Sequence, residues 1–192
     1  VVERREAYSG FFSLDVVHLR HRLFAGGWSG TLKRELFRMR RAVTVLPWDP
    51  VRDAVVLIEQ FRVGVIDAQP RPWLLEACAG LTEEGETLEE VARRECLEEC
   101  GLAPRRVAFA CDYVSSPGAC SERVSSFIGE VTAPEETGTF GVAAEHEDIR
   151  THVLAFDEAY ALIGKGDVVA VTAVVTLLWL KANREQLRAE WA

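Results

Sequence analysis

Glu95, Glu98 and Glu99 are the residues of this chain whose type and spacing most directly imply chemistry. At about 3.6 residues per turn they fall within roughly 100° of helix circumference. Three carboxylates on one face repel one another. Like-charged pairs at i,i+4 cost about 0.2–0.5 kcal/mol each on an exposed helix, and more where solvent is excluded. A helix selected for stability alone would interleave lysines, and none occurs between residues 80 and 102. A hard divalent cation such as Mg²⁺ takes oxygen ligands, would relieve this repulsion, and is commonly shared with substrate phosphates. Glu83, Glu84, Glu89 and Glu90 read instead as a solvated acidic surface, the usual fate of a charge run. A second acidic cluster, Ala144-Glu145-His146-Glu147-Asp148, lies between two expected strands and suits a loop that closes over bound metal.

The surroundings of the three glutamates sharpen this reading. Gly80 is followed by five residues and Glu86, then by seven residues and the run Arg94-Glu95-Cys96-Leu97-Glu98-Glu99-Cys100-Gly101-Leu102. The stretch resembles the Nudix box, the signature of the Nudix hydrolases, with every fixed position filled. Cys96 is a mild departure, because the family usually has an aliphatic residue there; a buried cysteine is a small hydrophobe and packs adequately. Gly80 is expected to let a strand turn sharply into the loop before the helix. Arg94 is expected to tie Glu86 and a neighbouring carboxylate into the loop-helix geometry. The resemblance implies that Glu95 and Glu99 are the principal metal ligands and catalytic carboxylates, with Glu98 and the backbone carbonyl of Ala79 as further ligands. It implies hydrolysis of a nucleoside diphosphate linked to another moiety, at the pyrophosphate, with Mg²⁺ as cofactor and Mn²⁺ as a substitute. Metal neutralises the phosphate oxygens while an activated water attacks phosphorus in line.

Further stretches are similar to the bacterial ADP-ribose pyrophosphatases within that family: GFFSLDVVHLRHRLF at 10–24, LPWDPVRDAVVLIEQFR at 46–62, Ser116-Pro117-Gly118 with Ser121-Glu122-Arg123, EHEDIR at 145–150 and the closing LRAEWA. Pro117 alone would be an ordinary turn residue. This resemblance implies that Glu145 activates the water and that Glu147 binds metal, although chemically either carboxylate could do either job. It places Arg62 on the substrate diphosphate or the adjacent ribose; by itself Arg62 is equally a surface arginine at a strand end. Phe11 and Arg34 would hold the adenine by stacking and by polar or cation–π contact, whereas Phe11 alone would read as a core aromatic. Ser116 and Glu122 would bind the terminal ribose, with Leu81 packed nearby. Related enzymes are dimers whose N-terminal strands cross onto the partner, which implies a homodimer in which Phe11 and Arg34 serve the other subunit. The competing arrangement is an N-terminal sheet folded on its own subunit. The substrate implied is ADP-ribose; rivals are another nucleoside diphosphate sugar such as GDP-mannose or ADP-glucose, and a non-catalytic ADP-ribose-binding module, which the intact Glu95, Glu98 and Glu99 disfavour.

These residues need elements to hold them. Thr87 to Gly101 reads as a helix: Thr87 with Glu90 forms a capping box, Gly101 and Pro104 supply the stop, and Leu88, Val91, Ala92, Cys96 and Cys100 form an apolar stripe. Strands are expected within 8–24 and 30–46, and over 54–61, 73–79, 107–114, 124–132 and 149–155, with Pro47-Trp48-Asp49-Pro50 as a turn. Asp157 is expected to start a short helix, and Asp167 to cap a final long one with Trp179 and Leu180 on its buried side. Strands outnumber helices, and the helices flank rather than alternate. The fold class is therefore α+β, an α/β/α sandwich with a mixed central sheet, plus an N-terminal β-strand extension. Residues 1–46 form a β-rich dimerisation or strand-swapping segment, and 47–192 the hydrolase domain.

Charge and composition exclude several alternatives. The 192 residues carry 30 acids and 22 bases, a net charge of −8. The acids concentrate at 80–102, while residues 1–46 are net basic. An acidic total argues against general nucleic-acid and anionic-membrane partners, and the lack of a strong basic tract disfavours an RNA-cap or RNA-end hydrolase. The most apolar segment, Val168 to Leu180, falls short of the roughly 20 apolar residues of a membrane span. Five cysteines without a CxxC pair argue against a zinc ribbon or a secreted disulfide framework, and for buried thiols in a reducing cytoplasm. No signal peptide is visible, and because the chain begins at Val1 a short natural N-terminal segment is expected to precede it.

Overall fold

The computed structural model describes the backbone of all 192 residues and every side chain except that of Glu145. The chain forms two compact units: residues 1–41 with 113–124, and residues 42–112 with 125–192.

The first unit is a three-stranded antiparallel sheet of β1 (Glu3–Ser9), β2 (Ser13–Leu19) and β3 (Leu32–Arg38), in that spatial order. All seven residues of β1 are exposed, and burial centres on Asp15, Val16 and Val17 of β2. A buried carboxylate needs partners. Asp15 receives the Arg4 guanidinium from β1 at 2.6 Å and faces Arg38 from β3 at 3.5 Å. Residues 113–124 dock on the end of β3, where Phe37 donates its amide to Ala119 and accepts from Ser121.

The second unit holds an eight-stranded sheet, apart from the strand ends at 113–114 and 123–124. Its main path is β10 (Thr139–Phe140), β11 (Ile149–Ala155), β5 (Ala54–Phe61), β4 (Ala42–Asp49), β9 (Arg123–Glu130) and β8 (Val107–Val114). In addition, β6 (Trp73–Glu76) pairs with β5, and β7 (Cys78–Leu81) pairs with β4. Both faces of the central strands are covered, so β4 and β5 read as near-continuous apolar runs. The period of two still sorts them. Val43, Val45, Ala54, Val56 and Ile58 meet Val91, Ala92, Cys96 and Cys100 of helix α1 (Leu88–Cys100). Leu46, Trp48, Val55 and Leu57 meet Phe156 of α2 (Phe156–Lys165) and Leu177 and Leu180 of α3 (Val171–Trp191). This is the expected α+β sandwich with helices on both sides of a mixed sheet.

Some local expectations change. Pro47, Trp48 and Asp49 end β4 rather than forming a turn, so the boundary read at 46/47 falls inside a strand; the turn begins at Pro50. The apolar run 73–79 breaks at the buried Ala77 into two strands with different partners. Asp167 does not cap α3. Its amide bonds Leu162 beyond the end of α2, and α3 starts later, with Ala170 at its N-cap position. No helix among the described residues is long and apolar enough to cross a membrane.

Candidate active site

Helix α1 carries the site, and its ends are fixed locally. Thr87 accepts the Glu90 amide and Glu90 accepts the Thr87 amide, the reciprocal pair of a capping box. At the other end Gly101 takes φ +69°, a left-handed conformation suited to glycine, and donates to Leu97. With the helix start and stop set, Glu95 and Glu99 meet β7 at Gly80 and Ala79.

Glu95 and Glu99 are buried, at 8% and 2% exposure. Glu99 Oε2 accepts the Ala79 amide at 2.8 Å, and Gln60 Nε2 of β5 lies 3.5 Å from Oε1. The Glu95 carboxylate rests on Gly80, where an added Cβ would lie 1.7 Å from Oε1 and 2.0 Å from Cδ. Gly80 is therefore required by this approach and not by a sharp turn: it sits inside β7, paired with Val43, outside the positive-φ set. Glu98 is half exposed.

Arg94 links these groups. Its guanidinium donates to Glu86 at 2.9 and 3.1 Å, to Glu95 at 2.6 Å, to Glu98 at 3.2 Å and to the Leu81 carbonyl at 3.3 Å. The expected structural role of Arg94 is thus realised with one carboxylate more than the sequence suggested. The hydrogen bond from Arg94 holds Glu86 below the usual carboxylate range. Burial has the opposite effect on Glu95, whose pKa is pushed up to about 7 against the pull of Arg94, with Glu98 and Glu147 adding repulsion. Burial also raises Glu99 well above its ordinary value; the Ala79 amide and Arg62 oppose this, while Glu95 and Glu147 reinforce it.

The second acidic cluster contributes Glu147, which repels both Glu95 and Glu99. Its Oε2 accepts the Val142 amide at 2.9 Å. Glu145 ends the 3₁₀ turn Ala143–Glu145, and its side chain lies outside the described residues. Arg62 follows β5 and is clamped to Glu76 by two hydrogen bonds of 2.9 and 2.7 Å. Burial alone would lower its pKa, but Glu76, Glu99 and Glu147 more than offset this. Leu81 ends β7, partly buried opposite Ala42.

Phe11, Arg34, Ser116 and Glu122 belong to the first unit. Phe11, 83% exposed, lies in the β1–β2 turn, edge-on to Phe12. Arg34 lies opposite Val17 on β3 and bonds the Lys33 carbonyl. The Ser116 carbonyl accepts the amides of Ala119 and Cys120, and Glu122 is half-buried beside Cys120.

Sequence reasoning missed Glu76 and Gln60. Glu76 could have been suspected, because it is the one acid in the strand Trp73–Glu76 and a buried carboxylate needs a cation. Gln60 carries no such signal.

The donor set suits a hard divalent cation. It is all oxygen, two of its carboxylates are nearly buried, and their ionised forms are mutually repelled. Arg94 bonds one oxygen each of Glu95 and Glu98 and the Ala79 amide one oxygen of Glu99, and no three acidic, histidine or cysteine side chains among the described residues are grouped as a ready-made ion cage.

A family model described as the NUDIX domain matches residues 38–172. The chain belongs to the Nudix family. An ADP-ribose pyrophosphatase from Escherichia coli (strain K12) is 46% identical over 192 residues, all of this chain and 92% of that protein. The Haemophilus influenzae ADP-ribose pyrophosphatase is 39% identical over 194 residues, covering 100% of this chain and 89% of its own. A GDP-mannose pyrophosphatase from Enterobacter is 33% identical over 152 residues, 79% of this chain and 78% of that one. A solved structure described as an ADP compounds hydrolase superposes with a TM-score of 0.76 over 97% of this chain and 95% of its own at 22% identity, so the Nudix fold is shared. The Nudix domain and these relatives make the protein a hydrolase.

Proposed function

We propose that the protein hydrolyses the pyrophosphate bond of ADP-ribose to AMP and ribose 5-phosphate. The observation that carries this reading is the pair of buried carboxylates, Glu95 and Glu99, on a Nudix-box helix, with Glu147 acting on both. The full-length similarity to ADP-ribose pyrophosphatases supports the choice of substrate.

Glu95, Glu98, Glu99, Glu147 and the Ala79 carbonyl would hold Mg²⁺, or Mn²⁺ in its place. Bound there, the metal supplies charge neutralisation at the phosphate oxygens and lowers the pKa of water. Arg94 orients Glu95 and Glu98 through its fork. Arg62, held by Glu76, presents its guanidinium to the diphosphate. Glu145 takes the proton of the attacking water as the new oxygen–phosphorus bond forms and the bridging phosphorus–oxygen bond breaks. Phe11 and Arg34 hold the adenine, and Ser116, Glu122 and Leu81 the terminal ribose. The same reading makes the protein a cytoplasmic homodimer that exchanges N-terminal strands.

The test is a substrate panel at equal concentration with Mg²⁺, following AMP and ribose 5-phosphate by chromatography. ADP-ribose is expected to have the highest kcat/KM. Because the GDP-mannose pyrophosphatase is also similar, that sugar nucleotide is the main rival; a preference for it by about tenfold or more in kcat/KM overturns the reading. Glu99→Gln is expected to abolish turnover while the protein stays folded. Unchanged weak turnover would instead indicate a binding module.

A further inference from the structure

Phe140 joins the two acidic clusters. It lies in β10, paired with Ile149 of β11, between Gly138 and Gly141. Its half-buried ring is wedged between two glycines. A Cβ added at Gly101 would lie 2.5 Å from Phe140 Cε1, and one at Gly138 would lie 2.5 Å from Cε2. Opposite edges of the ring thus fill the spaces that side chains at these positions would need. Gly101 is the terminal glycine of the Nudix box, so it both caps α1 and seats this ring.

The segment continuing from Phe140 is tied to the same helix and then to Glu147. The Gly141 amide donates to the Glu98 carbonyl at 3.3 Å. Gly141 takes φ +112°, and a Cβ there would lie 2.7 Å from Glu147 Cβ. The Val142 amide holds Glu147 Oε2. Gly138 is anchored to the buried Thr151: its amide donates a hydrogen bond of 2.8 Å to the Thr151 hydroxyl, and the Thr151 amide donates one of 3.0 Å to the Gly138 carbonyl.

We propose that Phe140 is a positioning residue for hydrolysis: its ring locks loop 138–147 to the C-terminal end of the box helix and so sets Glu147 relative to Glu95 and Glu99. This role rests on the ADP-ribose reading for its effect on turnover. It does not rest on that reading for its effect on metal binding, because the loop carries a carboxylate of the oxygen set whatever the substrate. A ring seated between two glycines is stiffer than a loop bonded only at its backbone, and small displacements at a reacting centre are amplified in rate.

The experiment compares Phe140→Ala, Phe140→Leu and Gly138→Ala in the full chain. Gly138→Ala leaves the aromatic residue in place but drives a methyl group into its seat, and the backbone there is outside the positive-φ region. Each variant is assayed for ADP-ribose turnover, for Mn²⁺ binding by electron paramagnetic resonance, and for melting temperature. Phe140→Ala and Gly138→Ala are expected to bind Mn²⁺ about tenfold or more weakly, as when groups supporting metal ligands are removed. They are also expected to lower kcat about tenfold or more with little change in KM for ADP-ribose. Phe140→Leu, which refills part of the seat, should recover most of both. A folded Phe140→Ala protein with wild-type Mn²⁺ affinity and kcat overturns the proposal, as does a loss that Phe140→Leu does not relieve. If the wild-type protein fails to hydrolyse ADP-ribose, the substrate reading falls, and the Mn²⁺ measurement still decides the role of Phe140.

Discussion

The carboxylate of Glu95 covers Gly80 so closely that a Cβ on the glycine would stand 1.7 Å from Oε1. Strand and helix meet here without a side chain between them, and a proposed metal ligand is held against the backbone of β7. Gly80→Ala is expected to leave the fold intact, because the obstructed atoms are the end of a side chain that can swing aside. Activity should nevertheless fall about 100-fold, since Glu95 would leave its working position. Circular dichroism and melting temperature, measured beside kcat, check this. A variant with normal kcat would show that the close approach has no functional role.

The buried carboxylates also predict how stability responds to pH. Glu95 titrates near pH 7 in the folded protein against an ordinary value of 4.5, and Glu99 is shifted in the same direction. For an acid whose folded pKa is raised, the native state binds more protons than the unfolded state between the two values, so stability falls as pH rises through that window. In EDTA the melting temperature should decline from about pH 5 to about pH 8. Added Mg²⁺ should offset this loss, with its largest stabilisation at the alkaline end, where the ligands ionise. Glu86 and Asp157, whose pKa values are lowered, act only at more acidic pH. Glu95→Gln should flatten the slope. A melting temperature that holds constant or rises over this range in EDTA would contradict the burial argument.

What the sequence made legible follows from how local each signal is. Helix α1 was readable to its caps because Thr87, Glu90 and Gly101 act within a turn of the residues they cap. The short apolar run of Ala54–Phe61 likewise marked a buried strand without reference to its partners. Asp167 was misread because a capping residue type has other uses, here beyond the end of α2. Gly80, Gln60 and Phe140 act across elements distant in sequence, and a close approach leaves no trace in the residues around it. The split at Ala77 is of the same kind: WLLE and CAGL look like one apolar run, and only their pairing with β5 and β4 separates them.

Arg94 should not tolerate lysine. Its nitrogens reach Glu86, Glu95, Glu98 and the Leu81 carbonyl together, a planar fan that one ammonium cannot reproduce. Arg94→Lys leaves some of these acceptors unpaired, at about 1–3 kcal/mol for each that is buried. The expected result is a clear fall in melting temperature together with weaker Mn²⁺ binding, because Glu95 and Glu98 lose the group that orients them. Thermal denaturation and Mn²⁺ titration measure the two effects separately. Lysine performing as well as arginine in both would mean that charge alone, not the fork, is what the site uses.

Glu145 and Glu147 stand two residues apart on one loop and are assigned different work. The charge of Glu147 repels both Glu95 and Glu99, which suits a metal ligand. Glu145, in the 3₁₀ turn just before it, is the proposed base on the strength of the resemblance to ADP-ribose pyrophosphatases. The separation is measurable because the two roles fail differently. Glu145→Gln should lower kcat by about 10²–10⁴-fold, the usual contribution of a general base, while Mn²⁺ affinity stays at the wild-type value. Glu147→Gln should weaken Mn²⁺ binding, and raising the metal concentration should restore part of the lost activity. If the metal defect appears in Glu145→Gln and high metal rescues that variant instead, the two assignments must be exchanged.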